Sequence, residues 1–474
     1  MTERAPPRIH VLTKPTGAIC NLDCAYCFFL DKELLYPGSR FRMSDELLER
    51  YIHQLIESHD GGKVTVAWQG GEPTLMGVDF FRRAVEYQDQ YKKPGMTFEN
   101  TMQTNGTLLN DEWCEFLSQH DFLIGLSIDG PRELHDAYRV DKLGKPTFDT
   151  VMRGLRLLQK HRVEYNVLTT VNRANAEYPL QVYRFLRDDV GTAWMQFIPV
   201  VERLNEGGVS LYQQGATVSD RSVKPEQFGN FLITIFDEWA HNDVGRVFVQ
   251  TFEAATRNWL GLASSGMCFF NPTCGHGPAL EHNGDLYSCD HFVEPDYLLG
   301  NIHQDGILEL VGSEQQRKFG RDKLDALPSY CRECEVRFAC HGECPKNRFA
   351  LTPNGEPGLN YLCAGYKAFF HYADRPLKIL AALLRRGQDA AELMPILAAE
   401  DARLAPAFAR AGRNDTCPCE SGLKFKKCHG RPVAGDSDKV LGLPPGRSKP
   451  RAEIRRERIR DEKQRTRNDR LRIE

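Results

Sequence analysis

The sequence predicts an α/β chain: a partial (β/α)6 TIM-like barrel, then a cysteine-rich domain, then a small zinc knuckle. Three observations carry this. Six segments rich in β-branched and aromatic residues, at 9–13, 64–68, 97–103, 122–128, 165–171 and 195–200, alternate with helical patterns up to about residue 240. Eight cysteines follow between Cys268 and Cys363, in a stretch with few long periodic segments. Four further metal-type ligands, Cys417, Cys419, Cys428 and His429, then fall within thirteen residues.

Each of the six strand patterns is followed by a helical one, and right-handed βα units repeated in this way give a parallel sheet that curls into a barrel. The first helix has a capping signature, Ser44-Asp45-Glu46-Leu47, followed by Leu47, Leu48, Tyr51, Ile52 and Leu55 at helical spacing. Six units rather than eight leave the barrel open on one side, which suits a large substrate such as a peptide. The loops after the strands share one end of the barrel. They hold Cys20-Asn-Leu-Asp-Cys24-Ala-Tyr-Cys27, Gly70-Gly71-Glu72-Pro73, Thr104-Asn105-Gly106-Thr107, and Ser127 with Asp129-Gly130. Asn-Gly and Asp-Gly are also plain turn signals, so Asn105 and Asp129 carry a local reading beside the functional one.

Composition sets limits on function. The 474 residues exceed one compact domain, and a formal net charge of −3 predicts no global attraction to nucleic acid. Fifteen cysteines could mark a secreted disulfide protein. The N-terminal Met-Thr-Glu-Arg-Ala-Pro-Pro lacks the apolar stretch of a signal peptide, so the expected compartment is the cytoplasm, where clustered cysteines mean metal. No apolar run approaches the roughly twenty residues that cross a bilayer, so no membrane association is expected.

The triplet Cys20, Cys24, Cys27 has the spacing C-x3-C-x2-C. A [4Fe-4S] cluster has four ligand positions, so three thiolates from one short loop leave one iron open to a substrate or cofactor. A closed zinc site or scattered core cysteines would be the structural alternatives. With Tyr26 before the third cysteine and Gly70-Gly71-Glu72-Pro73 after the second strand, the chain resembles the radical S-adenosylmethionine enzymes. That resemblance implies that the amino acid end of S-adenosylmethionine chelates the open iron. It implies further that Gly70, Gly71 and Glu72 receive the cofactor's amino group, and that Asn105, Ser127 and Asp129 hold its ribose and amino acid portions. The segments His135-Asp136-Ala137-Tyr138-Arg139-Val140 and Gln196-Phe197-Ile198-Pro199-Val200-Val201-Glu202 resemble the sulfatase-maturase branch, where they line the cofactor and peptide cleft. Arg139 then reads as a carboxylate-binding or backbone-binding group, with a solvated loop arginine as the bland alternative.

Two closed [4Fe-4S] clusters require eight thiolates, and this region offers Cys268, Cys274, Cys289, Cys331, Cys334, Cys340, Cys344 and Cys363. Sites of four cysteines also suit zinc. The spacings resemble the SPASM domain of the same maturases. By that resemblance Cys268, Cys274, Cys289 and Cys344 hold one auxiliary cluster, and Cys331, Cys334, Cys340 and Cys363 the other, which makes three clusters in all. Cys289-Asp290-His291-Phe292 is similar to the maturase signature in which the aspartate is the catalytic base, with a hydrogen-bonded turn residue as the structural alternative for Asp290. His276, His282 and His291 are available as donors or alternative bases.

The resemblance to anaerobic sulfatase-maturating enzymes covers roughly residues 8–370. It implies oxidation of a cysteine or serine of a sulfatase polypeptide to formylglycine, with an electron donor such as a flavodoxin or ferredoxin. After a deoxyadenosyl radical removes a β-hydrogen, a carboxylate takes the thiol or hydroxyl proton while an auxiliary cluster offers a route for the electron. Phe29 stands where many relatives carry tyrosine, so a hydroxyl is expected to be missing there. The rival expectations are another SPASM peptide maturase acting on a different precursor, or a non-catalytic metal-binding partner protein.

The expected divisions are 1–240 for the barrel, 241–370 for the SPASM domain, 371–410 for a helical linker, 411–430 for the knuckle and 431–474 for a basic tail. Leu377, Ile379, Leu380, Leu383 and Leu384 place a packing helix in the linker. Cys417, Cys419, Cys428 and His429 resemble a SEC-C motif and suit tetrahedral zinc. From Lys439 onward thirteen Lys or Arg stand against six Asp or Glu, a solvated run without the interleaved aromatics of a single-strand binding platform.

Overall fold

The computed structural model describes residues 9–205, 208–209, 215–418 and 424–427. Its central sheet sets the six expected strands side by side in chain order: β1 (Leu12–Lys14), β2 (Gly62–Trp68), β3 (Met96–Thr104), β4 (Leu123–Ser127), β5 (Tyr165–Val171) and β6 (Trp194–Pro199). All neighbouring pairs among them are parallel. The first strand is shorter than its apolar pattern suggests. Ile9 and Val11 are buried, 3% and 0% exposed, yet lie outside the paired segment, because alternation reports burial and not pairing.

Two short strands extend the row where the sequence had no periodic signal. On one side β7 (Phe248–Val249) pairs parallel with β6, and on the other β8 (Ala279–Glu281) pairs parallel with β1. Antiparallel β9 (Asp285–Tyr287) and β10 (Leu298–Asn301) complete ten strands in the order β7-β6-β5-β4-β3-β2-β1-β8-β9-β10. The register Lys14↔Glu281 therefore welds the cysteine-rich half directly to the first barrel strand.

The helices cover this sheet for reasons local to the sequence. In α1 (Asp45–Glu57) the Ser44 hydroxyl accepts from Leu47 N at 3.2 Å, and Leu47, Leu48, Tyr51, Ile52 and Leu55 are all buried. Trp68, at the end of β2, lies edge-on against Tyr51, Phe80 and Phe81. Helices α2 (Val78–Tyr91), α3 (Asp111–Gln119), α4 (Phe148–Lys160) and α5 (Pro179–Arg184) follow their strands. A backbone approach fixes α4: a Cβ on Gly154 would lie 2.2 Å from Gly106 O in the loop after β3.

Beyond the barrel come α6 (Pro225–Asn242), α7 (Gln250–Leu260), α8 (Glu314–Asp325), α9 (Cys363–Arg385) and α10 (Leu393–Phe408). Helices α6 and α9 cross at glycines, since a Cβ on Gly365 would meet Pro225 O at 2.2 Å. Helix α9 runs unbroken across the expected division at 370, because Tyr366, Phe369, Phe370, Ala373, Leu377 and Leu380 form one continuous buried stripe. Among the described residues no helix is long and apolar enough to cross a membrane.

Candidate active site

The loop after β1 is zipped to the loop after β2. Gly71 N donates to Gly17 O at 2.8 Å and Glu72 N to Ile19 O at 2.9 Å. A Cβ on Gly71 would lie 2.0 Å from Ile19 O, and Gly70 has φ +116°, so both positions demand glycine. The loop after β4 braces the cysteines from the other side, with Asp23 N donating to Val140 O and Ala25 N to Tyr138 O, each at 2.9 Å. Cys24 is buried, Cys20 and Cys27 are half-buried, and the three thiols lie within electrostatic reach of one another. Burial pushes the Cys20 thiol well up and that of Cys24 to about 12. Three clustered thiols in one loop fit an iron–sulfur cluster, whose positive iron would stabilise the thiolates of Cys20 and Cys24 that burial alone disfavours.

The polar residues around the triplet are tied to one another. Glu72 Oε1 accepts from Thr74 N at 3.1 Å, Thr74 Oγ1 at 2.6 Å and Thr104 Oγ1 at 2.7 Å, while Oε2 accepts from Asn105 N at 2.8 Å. Burial raises its carboxyl while these bonds oppose the rise. Glu72 thus staples the loops after β2 and β3, and Oε2 is the less occupied oxygen. Asn105 combines both of its expected readings. Its Oδ1 accepts from Thr107 N at 3.0 Å as in a local turn, and its Nδ2 donates to Asn21 Oδ1 at 2.9 Å in the triplet loop. Ser127 Oγ accepts from Gln103 Nε2 at 2.9 Å.

Asp129 and Arg139 are brought together. The fully buried Asp129 carboxylate forms an ion pair with Arg139, whose Nε lies 3.0 Å away, and accepts from Thr170 N at 2.9 Å and from the Tyr26 hydroxyl. Arg139 is 6% exposed, so the solvated loop arginine does not occur. A buried pair with further hydrogen bonds is the arrangement that offsets the desolvation of both charges. Through Tyr26 this pair grips the triplet loop from beneath.

Asp290 opens the turn after Cys289 and forms an ion pair with Lys14, the last residue of β1. The Lys14 side chain is 3% exposed and its Nζ stands 3.8 Å from the centre of the Phe29 ring; the Asp290 side chain is 22% exposed. Burial pushes the Asp290 carboxyl up, but the positive charge of Lys14, helped by that of Lys346, outweighs it and holds the group below its ordinary value. The result is an ionised carboxylate beside the strand that leads into the triplet, and a more accessible one than Glu72 or Asp129. The register Lys14↔Glu281 is what brings it there.

The histidines have other hydrogen-bond partners, although His291 adjoins Asp290. His282 bridges Ser39 Oγ at 2.6 Å and Glu281 Oε2 at 3.3 Å. The Nδ1 of His291 lies 3.5 Å from Cys344 Sγ, and burial lowers its ring to about 4. His276 lies 3.4 Å from Thr273 Oγ1. Lys14 and Gln103 were not singled out from the sequence. A lysine closing an apolar strand at the catalytic end of a barrel is the signal that could have found the first.

The thirteen described cysteines are all free. Those of the second set gather in two groups. Each of Cys268, Cys274, Cys289 and Cys344 lies within electrostatic reach of at least two others of that group, as does each of Cys331, Cys334, Cys340 and Cys363. The chain passes from the second group to the first through His341 (φ +47°), Gly342 (φ +72°) and Glu343 (φ +52°), three successive left-handed residues that re-aim Cys344 away from Cys340. Cys417 is buried with Leu404 against Phe408 and Phe425. Cys419, Cys428, His429 and the basic tail lie outside the described residues.

Comparison with known proteins adds the following. Residues 15–186 match the Radical SAM superfamily, residues 274–335 the SPASM iron-sulfur cluster-binding domain, and residues 413–431 the SEC-C motif. The chain is 47% identical over 397 residues to a serine-type anaerobic sulfatase-maturating enzyme of Bacteroides thetaiotaomicron, covering 82% of this chain and 95% of the relative. It is 33% identical over 371 residues to a cysteine-type anaerobic sulfatase-maturating enzyme of Clostridium perfringens, covering 77% and 96%. The structure of native anSMEcpe with bound AdoMet and Cp18Cys peptide superposes with a TM-score of 0.71 at 32% identity, over 80% of this chain and 100% of that one. Streptococcus suis SuiB, at 14% identity and a TM-score of 0.52, shares the fold.

Proposed function

From the premise that this chain belongs to the anaerobic sulfatase-maturating enzymes of the radical S-adenosylmethionine superfamily, we propose Asp290 as the base that completes oxidation of a sulfatase cysteine or serine to formylglycine. The chain is a radical oxidoreductase that uses iron–sulfur clusters and S-adenosylmethionine on a sulfatase peptide. The observation that supports the role of Asp290 is its pairing with Lys14 at the catalytic end of β1, one loop from the triplet.

In this reading Cys20, Cys24 and Cys27 hold the radical cluster, and the two groups of four thiols hold two auxiliary clusters. Bound there, clusters and cofactor supply one-electron chemistry: a deoxyadenosyl radical to remove the β-hydrogen, and an acceptor for the electron the substrate then loses. The other work falls to side chains. Gly70 and Gly71 would admit the cofactor close to backbone, and the carboxylate of Glu72 would pair with its ammonium. Asn105, Ser127 and the Asp129–Arg139 pair frame the remainder of the cofactor site. Asp290, ionised and oriented by Lys14, takes the thiol or hydroxyl proton of the substrate at a carboxylate oxygen. Free cysteines suit the reducing cytoplasm, where a flavodoxin or ferredoxin would deliver the electron.

Mass spectrometry tests the function. Peptides carrying Cys-x-Pro-x-Arg or Ser-x-Pro-x-Arg, incubated anaerobically with reconstituted protein, reductant and S-adenosylmethionine, are expected to gain an aldehyde in step with 5′-deoxyadenosine. Unmodified peptides of both kinds, from protein with full clusters and active cofactor cleavage, would point to another precursor.

Cys417, Cys419, Cys428 and His429 are proposed to bind zinc apart from catalysis. Cys417 packs on the end of α10 rather than on the barrel, which supports that separation. Truncation before Gly412 is therefore expected to remove zinc, measured by elemental analysis, while iron content and peptide turnover persist. Lost turnover would place the knuckle within the catalytic unit.

A further inference from the structure

Helix α8 presents one stripe of polar residues, Gln316, Gly320 and Lys323, to the loops that carry the first group of thiols. Gln316 Nε2 donates to Gly275 O at 3.0 Å and Ser288 O at 3.1 Å, next to Cys274 and Cys289. Gly320 O accepts from Cys274 N at 3.1 Å. Lys323 is 0% exposed, and its Nζ donates to Cys268 O at 2.8 Å, Phe269 O at 2.9 Å and Asn271 O at 2.6 Å. Arg348 continues the brace: its Nη1 donates to Lys323 O at 2.6 Å, its Nε to Gly342 O at 2.9 Å, and its Nη2 to His341 O at 2.9 Å and Glu343 O at 3.2 Å. These last carbonyls belong to the left-handed link between Cys340 and Cys344.

Both cations are satisfied by carbonyls, and among the described residues neither has a carboxylate within ion-pair distance. A buried charge without a counter-ion is costly, and hydrogen bonds to neutral carbonyls offset only part of that cost. Beside the histidines His276 and His341, the nearby groups able to carry negative charge are thiols and one acid. Lys323 lies within electrostatic reach of Cys268, Cys274, Cys344 and Glu343, and Arg348 within reach of Cys274, Cys344, Cys331 and Glu343. The Glu343 carboxylate is already engaged by Asn347 and Asn360. A cluster held by four thiolates is a net anion that becomes more negative on reduction, which is the partner these cations lack.

We propose that Lys323 and Arg348 are the counter-charges of the auxiliary clusters, Lys323 for the one at Cys268, Cys274, Cys289 and Cys344, and Arg348 shared between both. They would favour the reduced states and so raise the reduction potentials. The proposal rests on the reading that the eight thiols hold two clusters.

The test uses the full-length chain with Cys20, Cys24 and Cys27 replaced by alanine, so that only auxiliary clusters titrate, with midpoint potentials followed by electron paramagnetic resonance. Lys323→Gln is expected to retain iron and lower one midpoint, and Lys323→Arg to restore it. Arg348→Gln is expected to lower both. Full iron with unchanged midpoints in the two glutamine variants would overturn the proposal and leave the cations as loop braces only. If Lys323→Gln sheds its cluster, Lys323→Arg decides: a retained cluster supports the need for charge, and a lost one overturns it. A parent protein holding zinc, or far fewer than about eight irons, would refute the cluster reading itself before any counter-charge is tested.

Discussion

Replacing Cys20, Cys24 and Cys27 together by alanine is expected to abolish cleavage of S-adenosylmethionine and to leave about eight of about twelve irons per chain. The effect is expected to be total because, in the proposed reading, the three thiols are the whole protein share of that cluster's ligands. They come from one loop held on two sides, by Gly17 and Ile19 carbonyls bonded to the loop after β2, and by Val140 and Tyr138 carbonyls bonded to Asp23 and Ala25. Removing the sulfurs leaves those backbone bonds intact, so the barrel is expected to fold. The auxiliary thiols sit on segments apart from the triplet loop, those of Cys268, Cys274 and Cys289 braced by α8 and Cys363 opening α9, which is why their iron should persist. Iron analysis and chromatography of 5′-deoxyadenosine check the two halves. A triple variant that still formed deoxyadenosine would remove the basis for a radical mechanism at this loop.

Local patterns were readable in the sequence wherever a periodic stretch was long enough to declare itself. The six barrel strands and the Ser44-capped helix are of this kind, since alternation and capping act over a few residues. Strands of two or three residues, such as Phe248–Val249 and Ala279–Glu281, carry no period and take their place only from tertiary pairing. The same limit applies to the site. The triplet and the loop Gly70-Gly71-Glu72-Pro73 stand out because their chemistry is contiguous. Lys14 meets Asp290 only because β1 pairs with a strand more than two hundred residues away, and Arg139 meets Asp129 through a buried pocket that no spacing announces. Spacing could suggest that Cys344 leaves the group of Cys340; the left-handed link at His341, Gly342 and Glu343 is the physical means of doing so.

Asp290→Asn is expected to lower formylglycine formation by roughly two to four orders of magnitude, the range for general acid–base catalysis, while deoxyadenosine still appears. Asparagine keeps the size of the side chain and an oxygen facing Lys14, so the turn after Cys289 should hold its shape although the buried Lys14 loses its counter-charge. What is lost is the negative charge proposed to take a proton. In the native chain the charge of Lys14 holds the carboxyl ionised against its burial, so the proposed base would be ready before substrate arrives. Hydrogen abstraction precedes proton removal and does not use the carboxylate, so cofactor cleavage should separate from product in this variant. Quantifying deoxyadenosine and aldehyde peptide in the same reaction reads that separation directly. Peptide conversion at the native rate, with a native iron count, would show Asp290 to be a turn residue and would shift the search for the base to another group facing the triplet.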